Sequence, residues 1–349
     1  AYTEYRRNEG FPVQPESSNY LIPLGATDSI PVEKSRPHFL ADRCIKILEE
    51  FARSDEPFFL RLDFHGPHHP MVVPEPYASM YCADSIPPWQ NYEDSLKDKP
   101  AVQRIKTRHW GTDTMTWKDW QPLVAKYLGE ISLLDYEMGR VLDRLDELRL
   151  REKTLVVVTS DHGDTMGAHK IWNKDYTMYE ENYRVPFIVR WPSVIAAGSV
   201  CHEYTLHFLD LAPTLLDVAG EEVPEGLHGQ SLLPCFMQGE VSRPRHAFAE
   251  FHGCHMGLYS IRSIRTDRFK YVFHPNDIDE LYILENDPYE MENRAEMPEA
   301  RGTVLEMREL MVDEMKRTED HLYNEWIVYW LTGDLQKATA APGRTGSTW

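Results

Sequence analysis

The chain has 349 residues and a mass of 40.7 kDa, with 42% apolar and 11% aromatic residues, which excludes global disorder and implies one large α/β domain or two domains. No apolar run approaches the ~20 residues of a bilayer span. A formal charge of -19, from 37 basic and 56 acidic residues, repels phosphate backbones, so neither a membrane span nor a nucleic-acid partner is expected.

Residues 1–34, rich in Pro, Ser and Asn, predict an irregular surface segment. Ser35 ahead of Pro37 predicts a helix start, and Leu40, Cys44, Ile47, Leu48 and Phe51 follow at helical spacing. Phe58 to Phe64 predicts a buried strand. Residues 66–120 predict a long surface loop of functional length. Its Trp89, Trp110, Trp117 and Trp120 either line a sugar- or aryl-binding surface or pack the loop onto the body. Leu123 to Leu148 carries one continuous apolar helical face. Thr154 to Thr159 is apolar on both faces, as a central strand of a parallel sheet would be. Val185 to Arg190 predicts a strand, and Thr205 to Val218 a helix.

The pattern changes after about residue 240. Short strands at 246–251, 259–266, 269–274 and 280–284 predict an antiparallel meander, covered by a helix over 299–316. From Gly333 the chain is small and polar, as in a poorly ordered tail. The expected class is α/β, a mixed and mostly parallel sheet between helices plus a small antiparallel subdomain with one helix. The expected division is 1–240 for the α/β domain, 241–320 for the small subdomain and 321–349 for the tail. Cys44, Cys82, Cys201, Cys235 and Cys254 are odd in number and lack CxxC spacing. They argue against a disulfide framework or zinc ribbon and lean toward a reducing, cytoplasmic compartment, with no leader segment visible to assign one.

The chemistry concentrates in two places. Asp161, His162, Gly163 and Asp164 follow directly on the 154–159 strand, where ligands of open α/β sheets bind. Asp161 offers a hard oxygen and His162 an imidazole nitrogen, and both reach one cation if the turn is sharp. Lys174 returns a compact positive charge suited to an anionic leaving oxygen. As four residues alone, this is as readily a solvated turn with Asp161 as a cap. Beyond the 58–64 run, His65, His68 and His69 stand in a loop stiffened by Pro67 and Pro70. One of them is a candidate donor to an anion or leaving group, although loop histidines more often bond backbone.

The block TSDHGD…AHKIWNKDYTMYEENYRVPFIVRWP resembles the carboxyl-proximal signature of the type I sulfatases, of the alkaline-phosphatase-like superfamily. PFFLRLDFHGPHHPMVVPEPY resembles their PHxP loop, and SIRSIRTDRFKYVFHPNDIDELYILENDPYEMEN the start of their small subdomain. The similarity runs from about residue 36 to 320, in motif order. It implies an alkaline-phosphatase-like sandwich and hydrolysis of a small-molecule or carbohydrate sulfate ester. Asp161 and His162 match metal ligands, Lys174 matches the lysine on the sulfate and its leaving oxygen, and His68 matches the PHxP histidine, an acid for the leaving group. His65 and His69 fall outside the matched position. The implied cofactor is a divalent cation, calcium by family, with manganese, magnesium or zinc open because His162 offers nitrogen. A phosphonate or phosphate ester hydrolase on the same scaffold is the rival, since His at the second ligand position also occurs there.

The family nucleophile is a formylglycine made from Cys or Ser in C/S-x-P/A-x-R. Ser242-Arg243-Pro244-Arg245-His246 comes nearest, with His246 where Arg is required, and Ser29-Ile30-Pro31-Val32-Glu33 also fails. The family's Asp-Asp metal pair is absent, since no two aspartates are adjacent. Together with a start that lacks Met, this predicts a carboxyl-terminal portion whose nucleophile lies upstream, inactive by itself. The alternative is a non-catalytic relative.

Overall fold

The computed structural model describes residues 1–11, 25–202, 207–237, 245–253 and 257–341. Helix α1 (Tyr2–Asn8), strand β1 (Ala26–Asp28) and a short turn of helix occupy the expected irregular segment. Arg6, on α1, grips the carboxylate of Asp28 with both guanidinium nitrogens at 2.8 and 2.9 Å, which gives that segment a buried anchor. Helix α2 (Arg36–Phe51) begins where the sequence places it. The Ser35 hydroxyl accepts the amide of His38 at 3.4 Å, with proline in the first turn. Strand β2 (Val72–Pro74) pairs parallel with β1.

The 66–120 stretch is more structured than a decorated loop. Besides β2 it holds helix α3 (Ala101–Trp110) and several single helical turns. Its tryptophans serve as packing: Trp120 is fully buried, Trp89 and Trp117 meet edge to face at 5.5 Å, and Trp110 lies against the same core. The Trp89 indole donates to the Met166 carbonyl and that of Trp117 to the Ile86 carbonyl, each at 2.8 Å. Helix α4 (Trp117–Glu147) is longer than its apolar pattern predicts, because Thr116 and Asp119 form a capping box ahead of it. It packs on α2 through Cys44, Leu48 and Leu145.

Phe58 to Phe64 alternates as a strand should. Phe58, Leu60, Leu62 and Phe64 are half-buried, while Phe59, Arg61 and Asp63 are exposed. It is nevertheless not a strand here: among the described residues no strand pairs with it. Strand β3 (Val156–Thr159) corrects a second expectation, since it pairs antiparallel with β4 (Phe187–Arg190), Val156 opposite Arg190. Between these strands lies the single-turn α5 (Glu180–Tyr183). Helices α6 (His207–Ala219) and α7 (Leu233–Phe236) follow.

The meander forms as read. Strands β5 (His246–Phe251), β6 (Ile261–Thr266), β7 (Phe269–Phe273) and β8 (Glu280–Ile283) pair consecutively and antiparallel. Helix α8 (Arg301–Arg317) lays Val304, Met307, Met311 and Met315 over Ile264, Tyr271, Phe273 and Leu281. The expected tail differs from the structure as far as residue 341. Helices α9 (Glu325–Thr332) and α10 (Leu335–Ala340) add Val328, Leu331, Ala338 and Ala341 to the same core, with Asn324 and Asp334 as N-caps. Only the part from Gly333 is small and polar in sequence, and its alanines supply anchors to the core beside Val328 and Leu331 of α9. No described helix is long and apolar enough to cross a membrane.

Candidate active site

Strand β3 ends at Thr159 and delivers Ser160 and Asp161 into a tight turn. The Ser160 hydroxyl donates to the His162 carbonyl at 2.8 Å, and the Asp161 carboxylate accepts the His162 amide at 3.0 Å. Gly163 allows this turn for a reason other than a backbone bend. A Cβ there would lie 1.8 Å from the Glu181 carbonyl oxygen, and the Gly163 amide donates to Asn182 at 2.9 Å. The turn is therefore pressed against α5 as only glycine permits.

The ring of His162 is oriented by its Nδ1–H, which donates to the Gly163 carbonyl at 2.8 Å. Nε2 is left with its lone pair, 3.6 Å from Asp161 Oδ2. That separation suits one cation about 2.2 Å from each atom, and a backbone partner on the far nitrogen is the usual support of a histidine ligand. The donor set fits a metal only in part. Among the described residues no group of three or more His, Cys, Asp or Glu side chains surrounds a point that could hold one. Asp161 is also open, its side chain 75% exposed.

Opposite the turn stands the histidine loop. His68 and His162 have ring centroids 6.0 Å apart, and His65 meets His68 at 5.1 Å. His69 stacks on His68 at 4.3 Å and leans on Trp172 at 5.4 Å, so it braces His68 from behind. His68 Nδ1–H donates to the His69 carbonyl at 2.7 Å, and the Lys174 ammonium donates to His68 Nε2. These two bonds define a neutral His68 with its lone pair toward Lys174. His65 has its imidazole held below the ordinary range, first by burial and then by Arg36, His68 and Lys174, with Asp161 opposing. Its field thus contains both the carboxylate of the turn and the ammonium of Lys174. All four matched residues lie on one face.

Three further charged groups stand here: Asp164, from the turn itself, and Glu130 and Lys106, which carry no sequence motif. Asp164 is half-buried beside Lys106, Lys174 and His68; burial raises its carboxyl, with the Met166 amide and those three side chains opposing. Glu130, on α4, is pushed up to about 8 by burial, with Arg36 pulling the other way. Its Oε1 lies where a Cβ on Gly66 would fall, 2.1 Å away. Lys106 reaches the site from the buried side of α3. The visible signal for Glu130 was a carboxylate inside an apolar helical stripe. For Lys106 there was none, because its neighbours on that side, Gln103 and Thr107, are polar too. His252 lies apart from the cluster, exposed and bonded to Ser260 and Glu250, and the Tyr259 hydroxyl meets His274 at 3.1 Å. His255, Cys254 and Ser242 to Pro244 fall outside the described residues.

Comparison with known proteins supports the same grouping. The model of the Sulfatase family matches residues 4–221, and that of the N-sulphoglucosamine sulphohydrolase C-terminal region matches residues 167–317. The chain is 32% identical over 294 residues to an uncharacterized sulfatase, YidJ, of Escherichia coli K12, covering 81% of this chain and 56% of that protein. It is 34% identical over 218 residues to the N-acetylglucosamine-6-O-sulfatase of Bacteroides thetaiotaomicron, covering 60% and 38%. The chain thus spans about half or less of the length of these relatives. Among solved structures, the phosphonate monoester hydrolase of Agrobacterium radiobacter superposes with a TM-score of 0.75 at 27% identity, over 90% of this chain and 69% of that one. That of Silicibacter pomeroyi, at 24% identity and TM-score 0.79 over 92% and 69%, shows the fold. The fold is the alkaline-phosphatase-like α/β architecture with a small antiparallel sheet. With a family model covering well over half of its residues, this chain belongs to the sulfatase family.

Proposed function

We propose that these residues form the metal and leaving-group side of a sulfuric ester hydrolase acting on a small-molecule or carbohydrate sulfate monoester. The observation that carries this reading is the convergence of Lys174 and His68, in contact, on the face that also holds His162 and Asp161. Asp161 and His162 would hold a divalent cation together with ligands outside this pair, and the bound cation would supply charge neutralisation at the sulfate oxygens. Calcium is the family's ion; the imidazole donor leaves manganese, magnesium or zinc open. The formylglycine nucleophile would come from polypeptide beyond these 349 residues, which contain no C/S-x-P/A-x-R motif.

Lys174 carries the proton at its contact with His68, so it is the ready donor of positive charge to the ester oxygen as that oxygen leaves. His68 orients Lys174 through Nε2 and acts as an acid only once it is itself protonated. The ammonium groups of Lys174 and Lys106 bring positive charge to this face in a chain of charge -19, with the carboxyl groups of Asp161 and Asp164 beside them.

A second reading, a phosphonate or phosphate ester hydrolase, is favoured by the likeness to the Agrobacterium radiobacter enzyme. A third, a non-catalytic relative, rests on the missing nucleophile. The 349-residue chain is expected to show no turnover of p-nitrophenyl sulfate. Joined to a formylglycine-bearing amino-terminal segment, it is expected to hydrolyse sulfate esters in preference to matched phosphonate esters. Turnover by the chain alone overturns the assignment of the nucleophile, preference for phosphonates selects the second reading, and silence toward both selects the third. In the joined enzyme, Lys174→Ala is expected to lower kcat by 10²-fold or more with a smaller effect on KM.

A further inference from the structure

Lys106 is 1% exposed, yet it is a lysine. Burying an ammonium costs several kcal/mol unless other groups replace its water. Its Nζ donates to the carbonyl of Lys174 and, at 2.8 Å, to that of Asp175. The carboxylate of Asp164 faces it as a counter-charge. The buried cation is thus spent on the main chain that carries Lys174.

That main chain is bent in an unfavourable way. Asn173, Asp175 and Tyr176 have φ of 67°, 82° and 58°, in the left-handed region, where a residue with a side chain costs of order 1 kcal/mol. Lys174 is flanked on both sides by such residues. The bend aims its side chain at His68, and the two carbonyls inside the bend converge on Lys106. Helix α3 is itself anchored at its start. The Ala101 amide donates to Asp277 at 2.6 Å, and the Gln103 amide group to Glu280 at 2.9 Å. The arm that bears Lys106 is therefore tied to the small antiparallel subdomain.

We infer that Lys106 is a positioning residue for Lys174: its buried ammonium clamps the carbonyls of residues 174 and 175 and so holds the Lys174 ammonium on His68. This rests on the reading above, in which the Lys174–His68 pair faces the substrate. It makes the small subdomain a support of the site through α3.

The test uses the 349-residue chain labelled with ¹⁵N-histidine, at fixed pH and without metal. Long-range ¹H–¹⁵N spectra report which ring nitrogen of each histidine is bare, and the His68 signals are identified by their disappearance in His68→Gln. The unaltered chain is expected to show His68 with a bare Nε2 whose ¹⁵N shift is moved by the hydrogen bond from Lys174; the His69 carbonyl holds the tautomer, so the Nε2 shift is the signature that is read. Lys106→Met, judged folded by near-ultraviolet circular dichroism, is expected to lose that hydrogen-bonded Nε2 shift, as Lys174→Met does. If Lys106→Met does not fold, Lys106→Gln, which keeps N–H donors on a shorter uncharged arm, is expected to show the same loss. A folded Lys106 variant that retains the signature while Lys174→Met loses it overturns the inference and leaves the site reading intact. Retention in Lys174→Met overturns the site reading, and the inference with it.

Discussion

Glu130 sits on α4 between Tyr127 and Leu134 on the same helical face, and its Oε2 is buried without a hydrogen-bond partner among the described residues. Burial lifts its carboxyl from 4.5 to about 8, so the folded chain binds this proton more tightly than the unfolded one. The contribution to stability is complete below about pH 4.5 and falls as pH rises toward 8. In urea titrations, Glu130→Gln is therefore expected to gain on the unaltered chain steadily between pH 5 and 8. Parallel curves would show that the carboxyl is solvated. The same side chain faces Gly66, at the base of the histidine loop. His68 and His162 show a related dependence on surroundings. Each spends Nδ1–H on a neighbouring carbonyl and so presents Nε2 to the site. Which histidine of the loop matches the family motif was readable in the sequence; its contact with Lys174 and the nitrogen it presents were not, because the tautomer depends on a bond to the next residue's carbonyl.

At the scale of elements, the close approach of the 160–164 turn to α5 is the most exposed to mutation. Gly163→Ala places a methyl against the Glu181 backbone, and backbone cannot rotate away as a side-chain tip can. A loss of about 1–3 kcal/mol of unfolding free energy is expected, as for an overpacked core. Chemical denaturation measures it, and a change below 0.5 kcal/mol would mean that the turn and α5 are free to separate. The elements that were legible are those whose burial is one-sided. Helices α2 and α4 and strands β5 to β8 each bury one face, so their periodicity states their structure. Strand β3 is apolar on both faces, and that pattern does not specify its neighbour's direction. The 321–341 segment failed differently: α9 and α10 are short, and their anchors include alanines, which composition counts as small rather than as core.

Across the whole molecule, the incomplete places coincide. Among the described residues the 58–64 run has no ladder partner, every residue of β3 is only half-buried, and Phe59 and Ile188 are 71% and 61% exposed. Unpaired, apolar strand-like segments invite edge association, which a charge of -19 opposes only in part. The 349-residue chain is expected to grow in apparent size with concentration and with added salt in light scattering. Phe59→Lys is expected to reduce that growth without lowering the thermal midpoint. An unaltered, concentration-independent monomer would exclude this edge as the cause.

By itself the sequence determined the class of the fold, the order of its motifs and the one-sided elements, and it named four candidate residues that the fold brings near one another. The α/β class and the one-sided elements follow from local pattern; the choice of His68 and the roles of the four residues follow from the resemblance to the sulfatases. Only the tertiary structure decided that β3 runs antiparallel to β4, that the tryptophans pack the 66–120 stretch to the body, and that Lys106 grips the main chain at Lys174. Those outcomes depend on pairs such as Lys106 with Lys174 and His68 with Lys174, 68 and 106 positions apart. A chain's periodicity records how much of each residue is buried, but not which distant donor or acceptor takes the place of water.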